Sequence, residues 1–137
     1  MVKLHLQRQT FPEVHVSVNI PDQREIQLKS DFGFRVNYAK ENKSCLAILR
    51  QELNSKDPAA KCQVIVEVRG LFQVEGIVSD EDKKEAHVQA YKMLFPYVQN
   101  EISRLMTDAG LPPLMVQPVD MKVENVQMET GNKPLVS

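Results

Sequence analysis

The stretch Lys61–Glu75 reads KCQVIVEVRGLFQVE, and its alternation decides the fold. Val64, Val66, Val68, Phe72 and Val74 fall on one side, while Gln63, Glu67, Arg69, Gln73 and Glu75 fall on the other. Period two over this length is a long strand with one face turned to a core. Gly70, in its middle, predicts a bulge or a bend. Working back, Asp57-Pro58 supplies a turn, and Ser44–Leu53 sets Cys45, Ala47, Leu49 and Leu53 on one face. These arms predict a long antiparallel hairpin. Further upstream, Phe32–Tyr38 aligns Phe32, Phe34, Val36 and Tyr38, and Glu25–Lys29 offers a short strand through Ile26 and Leu28. Glu13–Ile20 aligns Val14, Val16, Val18 and Ile20 as a strand buried on one side, which Pro21-Asp22 ends.

Downstream the period changes. Ser79-Asp80-Glu81-Asp82 supplies a cap and acids for a helix N-terminus. Tyr91, Leu94, Val98, Ile102, Leu105 and Ala109 then recur at helical spacing. Pro96 lacks the N–H for the carbonyl of Lys92, so either one helix kinks there or a second begins, and two helical pieces, roughly 81–94 and 96–109, are the favoured expectation. Gly110 is a C-cap, and Pro112-Pro113 prevents resumption. The expected fold is α+β, an antiparallel sheet with helices on one face. Residues 1–121 form the domain, and 122–137 are read as a polar tail. Met93, Tyr97 and Met106 widen the helical stripe beyond what one sheet face covers. Self-association as a dimer or dimer of dimers is the simplest closure.

The rest of the composition excludes more than it suggests. The chain has 137 residues, enough for one domain with a modest core, and a net charge of −1. That near-neutral balance lacks the footprint of a nucleic-acid binder. The start, Met1–Gln7, does not read as a signal peptide, and no apolar run reaches the length of a membrane span. A reduced, cytoplasmic protein without membrane insertion is expected. Cys45 and Cys62 fall on apolar strand faces, the usual setting of buried thiols. His5, His15 and His87 have no ligand partners at helical spacing, and Asp80, Glu81 and Asp82 are explained by capping. No phosphate-loop, dinucleotide or zinc-protease motif is present, so no enzyme, cofactor or metal is expected.

Leu46 and Ile48 sit on the nominally outer face of the first hairpin arm, and Ile65 and Leu71 on that of the second. Either these are scattered surface apolar residues, or the second face of the sheet also meets something apolar. Met93, Met106, Met115 and Met121 suit adaptable contact with varied clients, since the thioether chain repacks cheaply.

Four short runs stand in order: Glu67-Val68-Arg69-Gly70-Leu71-Phe72, Leu94-Phe95-Pro96-Tyr97, Leu111-Pro112-Pro113-Leu114 and Pro118-Val119-Asp120-Met121. Their spacing resembles the SecB family of export chaperones, well over 45–121 and by strand pattern before that. The resemblance implies a four-stranded antiparallel sheet with helices on one face, assembled as a homotetramer. It implies an ATP-independent holdase that keeps unfolded precursors in hydrophobic grooves and passes them to the motor SecA. Client contact is then expected at Leu46, Ile48, Ile65, Leu71, Leu111, Leu114 and Met115. Val66 and Val68 match subunit-interface positions, and Tyr97, Ile102, Leu105 and Met106 would lie between dimers. Glu67 is the one acidic match for SecA. The chain departs from the family in its weak acidity and in having no second helical pattern after Met121. A chaperone devoted to one partner, such as the antitoxin of a toxin–antitoxin system, is an alternative. A structural oligomeric module that recruits a folded protein is another.

Overall fold

The computed structural model describes residues 2–20, 27–111, 116–123 and 126. Four strands and one helix follow in order: β1 Lys3–Asn19, β2 Leu28–Tyr38, β3 Ser44–Ser55, β4 Lys61–Glu75 and α1 Asp80–Asp108. The sheet order is β1-β4-β3-β2, and every neighbouring pair is antiparallel. The strand with the clearest alternation is therefore central, which is why its apolar side is wholly buried. Val64, Val66, Val68 and Phe72 are all 0 % exposed. The β3–β4 turn is held as expected at Asp57, whose Oδ1 accepts from Ala59 N at 2.9 Å.

α1 covers that side of the sheet. Leu94, Val98 and Ile102 join the core with Leu49, Phe34 and Phe72. The helix does not divide at Pro96 but runs unbroken from Asp80 to Asp108. Pro96 and Lys92 both lie on its exposed side, so water can satisfy the carbonyl that the proline leaves free. The buried stripe on the opposite side spans both halves and keeps them together. At the N-terminus, Ser79 Oγ accepts from Asp82 N at 3.3 Å, and Asp82 Oδ2 accepts from Val78 N at 2.9 Å. That backbone bond holds the Asp82 carboxyl below the usual carboxylate range. Ser79→Ala is expected to lower stability by about 1 kcal/mol, read from urea unfolding. At the other end Leu111 N donates to Met106 O and Gly110 N to Thr107 O, with Gly110 at φ 80°. This is the left-handed cap expected of Gly110.

Three further expectations change. β1 begins at Lys3, ten residues before the predicted strand. Register shifts between Leu6 and Arg8 and between Thr10 and Glu13 interrupt its alternation and hide it from a period-two reading. Pro12 is tolerated because β1 is an edge strand. Val14 and Val16 point to the helix side, yet they are 40 % and 37 % exposed because α1 does not cover them. Gly70 makes no bulge in β4, which pairs with β3 without a shift through Ala47↔Gly70. It admits α1 instead, since a Cβ there would lie 2.8 Å from Leu94 Cδ2 and 2.9 Å from Phe72 Cε2. Finally, Val126 is buried and Val123 half-buried against the core, so the packed chain passes the expected boundary at 121. Residues 21–26, which include most of the short strand expected at Glu25–Lys29, lie outside the described residues, and β2 takes up that strand's end from Leu28.

Candidate functional site

An aromatic cluster crosses from β2 to α1. The Tyr91 ring lies 5.5 Å from Phe34, 6.1 Å from Phe32 and 5.8 Å from Phe95. Tyr91 and Phe95 are one helical turn apart and share a flank. Beyond the helix the chain folds back along this flank as an extended strap. Gln99 Oε1 accepts from Val116 N at 2.7 Å, and the Tyr91 hydroxyl accepts from Val119 N at 2.8 Å. Val116 and Met121 are buried at its two ends, while Gln117, Pro118, Val119 and Asp120 between them stay exposed.

The strap and the helix enclose an open groove. Its cavity of about 340 Å³ is lined by Tyr91, Lys92, Phe95, Pro96, Pro118, Val119 and Asp120. That volume is at the small end of ligand pockets and suits a few apolar side chains. Lys92 and Asp120 supply one charge of each sign, so the groove discriminates by shape and apolarity rather than by charge. Burial pushes the Tyr91 hydroxyl up, so it acts as a hydrogen-bond acceptor for the strap and not as an acid. Cys45 is pushed up to about 12 and Cys62 upward, both by burial, which leaves unreactive thiols. Among the described residues no three His, Cys, Asp or Glu side chains gather as a metal site.

The predicted site residues do not form one site. Leu46 and Leu71 are cross-strand partners on the sheet face away from the helix, and Ile48 and Ile65 share that face. Leu71 is 42 % exposed, whereas Ile48 is buried although it points outward. Its row neighbours are Arg35 and Arg69. Leu111 belongs to the opposite layer and is half-buried against the core. Leu114 and Met115 lie outside the described residues. Of the predicted interface residues, Val66, Val68, Ile102, Leu105 and Met106 are spent inside the protomer between sheet and helix. Their side chains offer no surface to a second copy, and Tyr97 alone of that set does, at 38 % exposure. Glu67 is no free acid: Arg69 Nε lies 3.1 Å and Arg50 Nη1 3.6 Å from its carboxylate, whose side chain is 15 % exposed.

The groove residues Tyr91, Phe95, Pro96, Pro118 and Val119 were not singled out as a site by the sequence. Tyr91 reads as helix stripe and Phe95 as part of a motif. The available signal was the i, i+4 aromatic pair beside a strand with two phenylalanines. The strap, which closes the groove, has no periodicity to read.

Comparison with known proteins follows the same lines. The family model of preprotein translocase subunit SecB matches residues 2–128. An uncharacterized protein of Methanocaldococcus jannaschii is 28 % identical over 123 residues, covering 83 % of this chain and 79 % of its own. The protein-export protein SecB of Zymomonas mobilis is 25 % identical over 131 residues, covering 96 % and 71 %. Among solved structures, a SecB-like chaperone of Mycobacterium tuberculosis, in complex with a peptide from an antitoxin, superposes with a TM-score of 0.68. It shares 14 % identity, over 85 % of this chain and 90 % of that one. Among the described residues no helix is long and apolar enough to cross a membrane.

Proposed function

Because the chain belongs to the SecB family, whose members are protein-export chaperones and not enzymes, we propose that it is an ATP-independent holdase for unfolded polypeptides. The observation that carries this reading is the open groove of Tyr91, Phe95, Pro96, Pro118 and Val119. An extended client segment lays apolar side chains between helix and strap, and no charged group dictates its sequence. Holding a chain this way needs no bond chemistry and no nucleotide. Self-association belongs to the same reading and is supported by the uncovered Val14, Val16 and Tyr97. Transfer to SecA is supported by the family alone and not by Glu67, which is paired with two arginines.

A second reading rests on the fold likeness to a chaperone holding one antitoxin peptide. Dedication to a single partner would use the same groove. The test is suppression of aggregation of several unrelated, chemically unfolded clients at stoichiometric amounts, with and without ATP. General protection independent of ATP is expected. Protection of one client only favours the dedicated reading, and protection of none overturns both. Phe95→Asp is expected to weaken client binding about tenfold, measured by fluorescence anisotropy, because it removes an apolar ring and sets a charge among the groove's apolar side chains.

A further inference from the structure

The sheet face turned away from α1 carries a pattern that client holding in the groove does not use. Four cross-strand rows define it. One row is Gly33, Arg50, Glu67 and Glu13, and its two carboxylates share Arg50, which leaves the row one negative charge in excess. Arg50 bridges Glu13, Glu52 and Glu67, and Arg69 takes the other oxygen of Glu67. The hydrogen bond from Arg50 pulls the Glu13 carboxyl below its usual value and raises the guanidinium of Arg50. Asp31, in the row beyond, is held by Lys29 at 3.9 Å. The acids of this part of the face are thus all engaged.

The next two rows are different. They read Arg35, Ile48, Arg69, Thr10 and then Asn37, Leu46, Leu71, Arg8. Neither Arg8 nor Arg35 makes an ion pair among the described residues, and the Nε of Arg35 is shut away from solvent without an acceptor. A buried donor left open in this way is costly. Between the two arginines lie Leu46, half-buried, and Leu71, 42 % exposed. Arg8 is on one edge strand and Arg35 on the other, so their backbones are separated by three strand spacings, about 14 Å, across the sheet and by one row, about 7 Å, along it.

We propose that this face docks an acidic, leucine-bearing segment of another protein. Its carboxylates would pair with Arg8 and Arg35, and its apolar side chains would rest on Leu46 and Leu71. Charge complementarity commits the surface to this occupant, because cations remain open here while the neighbouring acids are internally paired. A basic partner would meet two uncompensated guanidinium groups.

The test uses the full chain and two fluorescent peptides, one a repeat of Glu and Leu, the other the same repeat with Lys for Glu. The Glu peptide is expected to bind at least about tenfold more tightly at low salt, with the preference shrinking as salt screens it. Arg8→Glu with Arg35→Glu is expected to reverse the preference, and the milder Arg8→Gln with Arg35→Gln to abolish it. Phe95→Ala, which removes the groove's ring without adding charge, should weaken both peptides alike and leave their ratio unchanged, which separates this surface from the groove. Equal or tighter binding of the Lys peptide, an unaltered preference in folded arginine variants, or loss of the preference in Phe95→Ala would overturn the proposal.

Discussion

Leu94→Ala should destabilise the protein by about 2–5 kcal/mol, Gly70→Ala by about 1–3 kcal/mol, and the two together by clearly less than both added. Leu94 is 0 % exposed, so truncating it removes a full set of core contacts and leaves a cavity between helix and sheet. Gly70 lies beneath the same side chain. A methyl group there would stand 2.8 Å from Leu94 Cδ2, 2.9 Å from Phe72 Cε2 and 3.2 Å from Leu6 Cδ1. Each of those is a side chain that must move, and the Phe72 ring is itself fully buried. The cavity made by Leu94→Ala is where the Gly70→Ala methyl needs to go, so the defects offset. Urea unfolding of the four proteins in a double-mutant cycle measures this. Strict additivity would mean that helix and strand do not meet at Gly70.

Acid should weaken the fold well before the ordinary carboxylates titrate. His87 is 3 % exposed, and its ring meets the edge of Phe34 at 4.8 Å between centroids. One turn earlier, the Lys83 carbonyl accepts from the Tyr38 hydroxyl at 2.9 Å, and the Lys83 ammonium sits 5.5 Å from the Tyr38 ring. Burial lowers the imidazole from 6.5 to about 4. The unfolded chain therefore binds a proton that the folded one refuses between these values. Stability rises with pH across that window, is complete above about 6.5, and falls as pH drops toward 4. The expected loss is about 3 kcal/mol, at 1.36 kcal/mol per unit. Denaturant midpoints taken from pH 7 to pH 4 read it, and His87→Gln should flatten the slope above pH 4.5. An unchanged slope in that variant would assign the acid sensitivity elsewhere.

Most of the fold was legible in the sequence wherever one face of an element is buried and the other is wet. β4 was read to its end residues, and the face of β3 through Cys45, Ala47, Leu49 and Leu53 is the buried one. The four-stranded antiparallel sheet with a helix on one face is the fold that the motif spacing implied. Legibility failed where geometry, not pattern, decides. The early part of β1 is disguised by two register shifts. Pro96 reads as a break, but it stands where the helix faces water. Gly70 reads as a bulge or a bend, but β4 does not bulge there, and the glycine makes room for Leu94, which lies far along the chain. The site was less legible still. Strict alternation correctly put Leu46, Ile48, Ile65 and Leu71 on the outer face, yet the groove depends on a strap that follows no period. Two backbone bonds, one to a glutamine and one to a tyrosine, place that strap.

The strap separates two kinds of selection. Val116 and Met121 answer to the core, so changes there are paid in folding. Gln117, Pro118, Val119 and Asp120 span the gap with their side chains in solvent, and three of them form one wall of the groove. A lineage, or an experimenter building a library, can therefore rewrite these four positions and retune which chains are held, while the scaffold beneath keeps its stability.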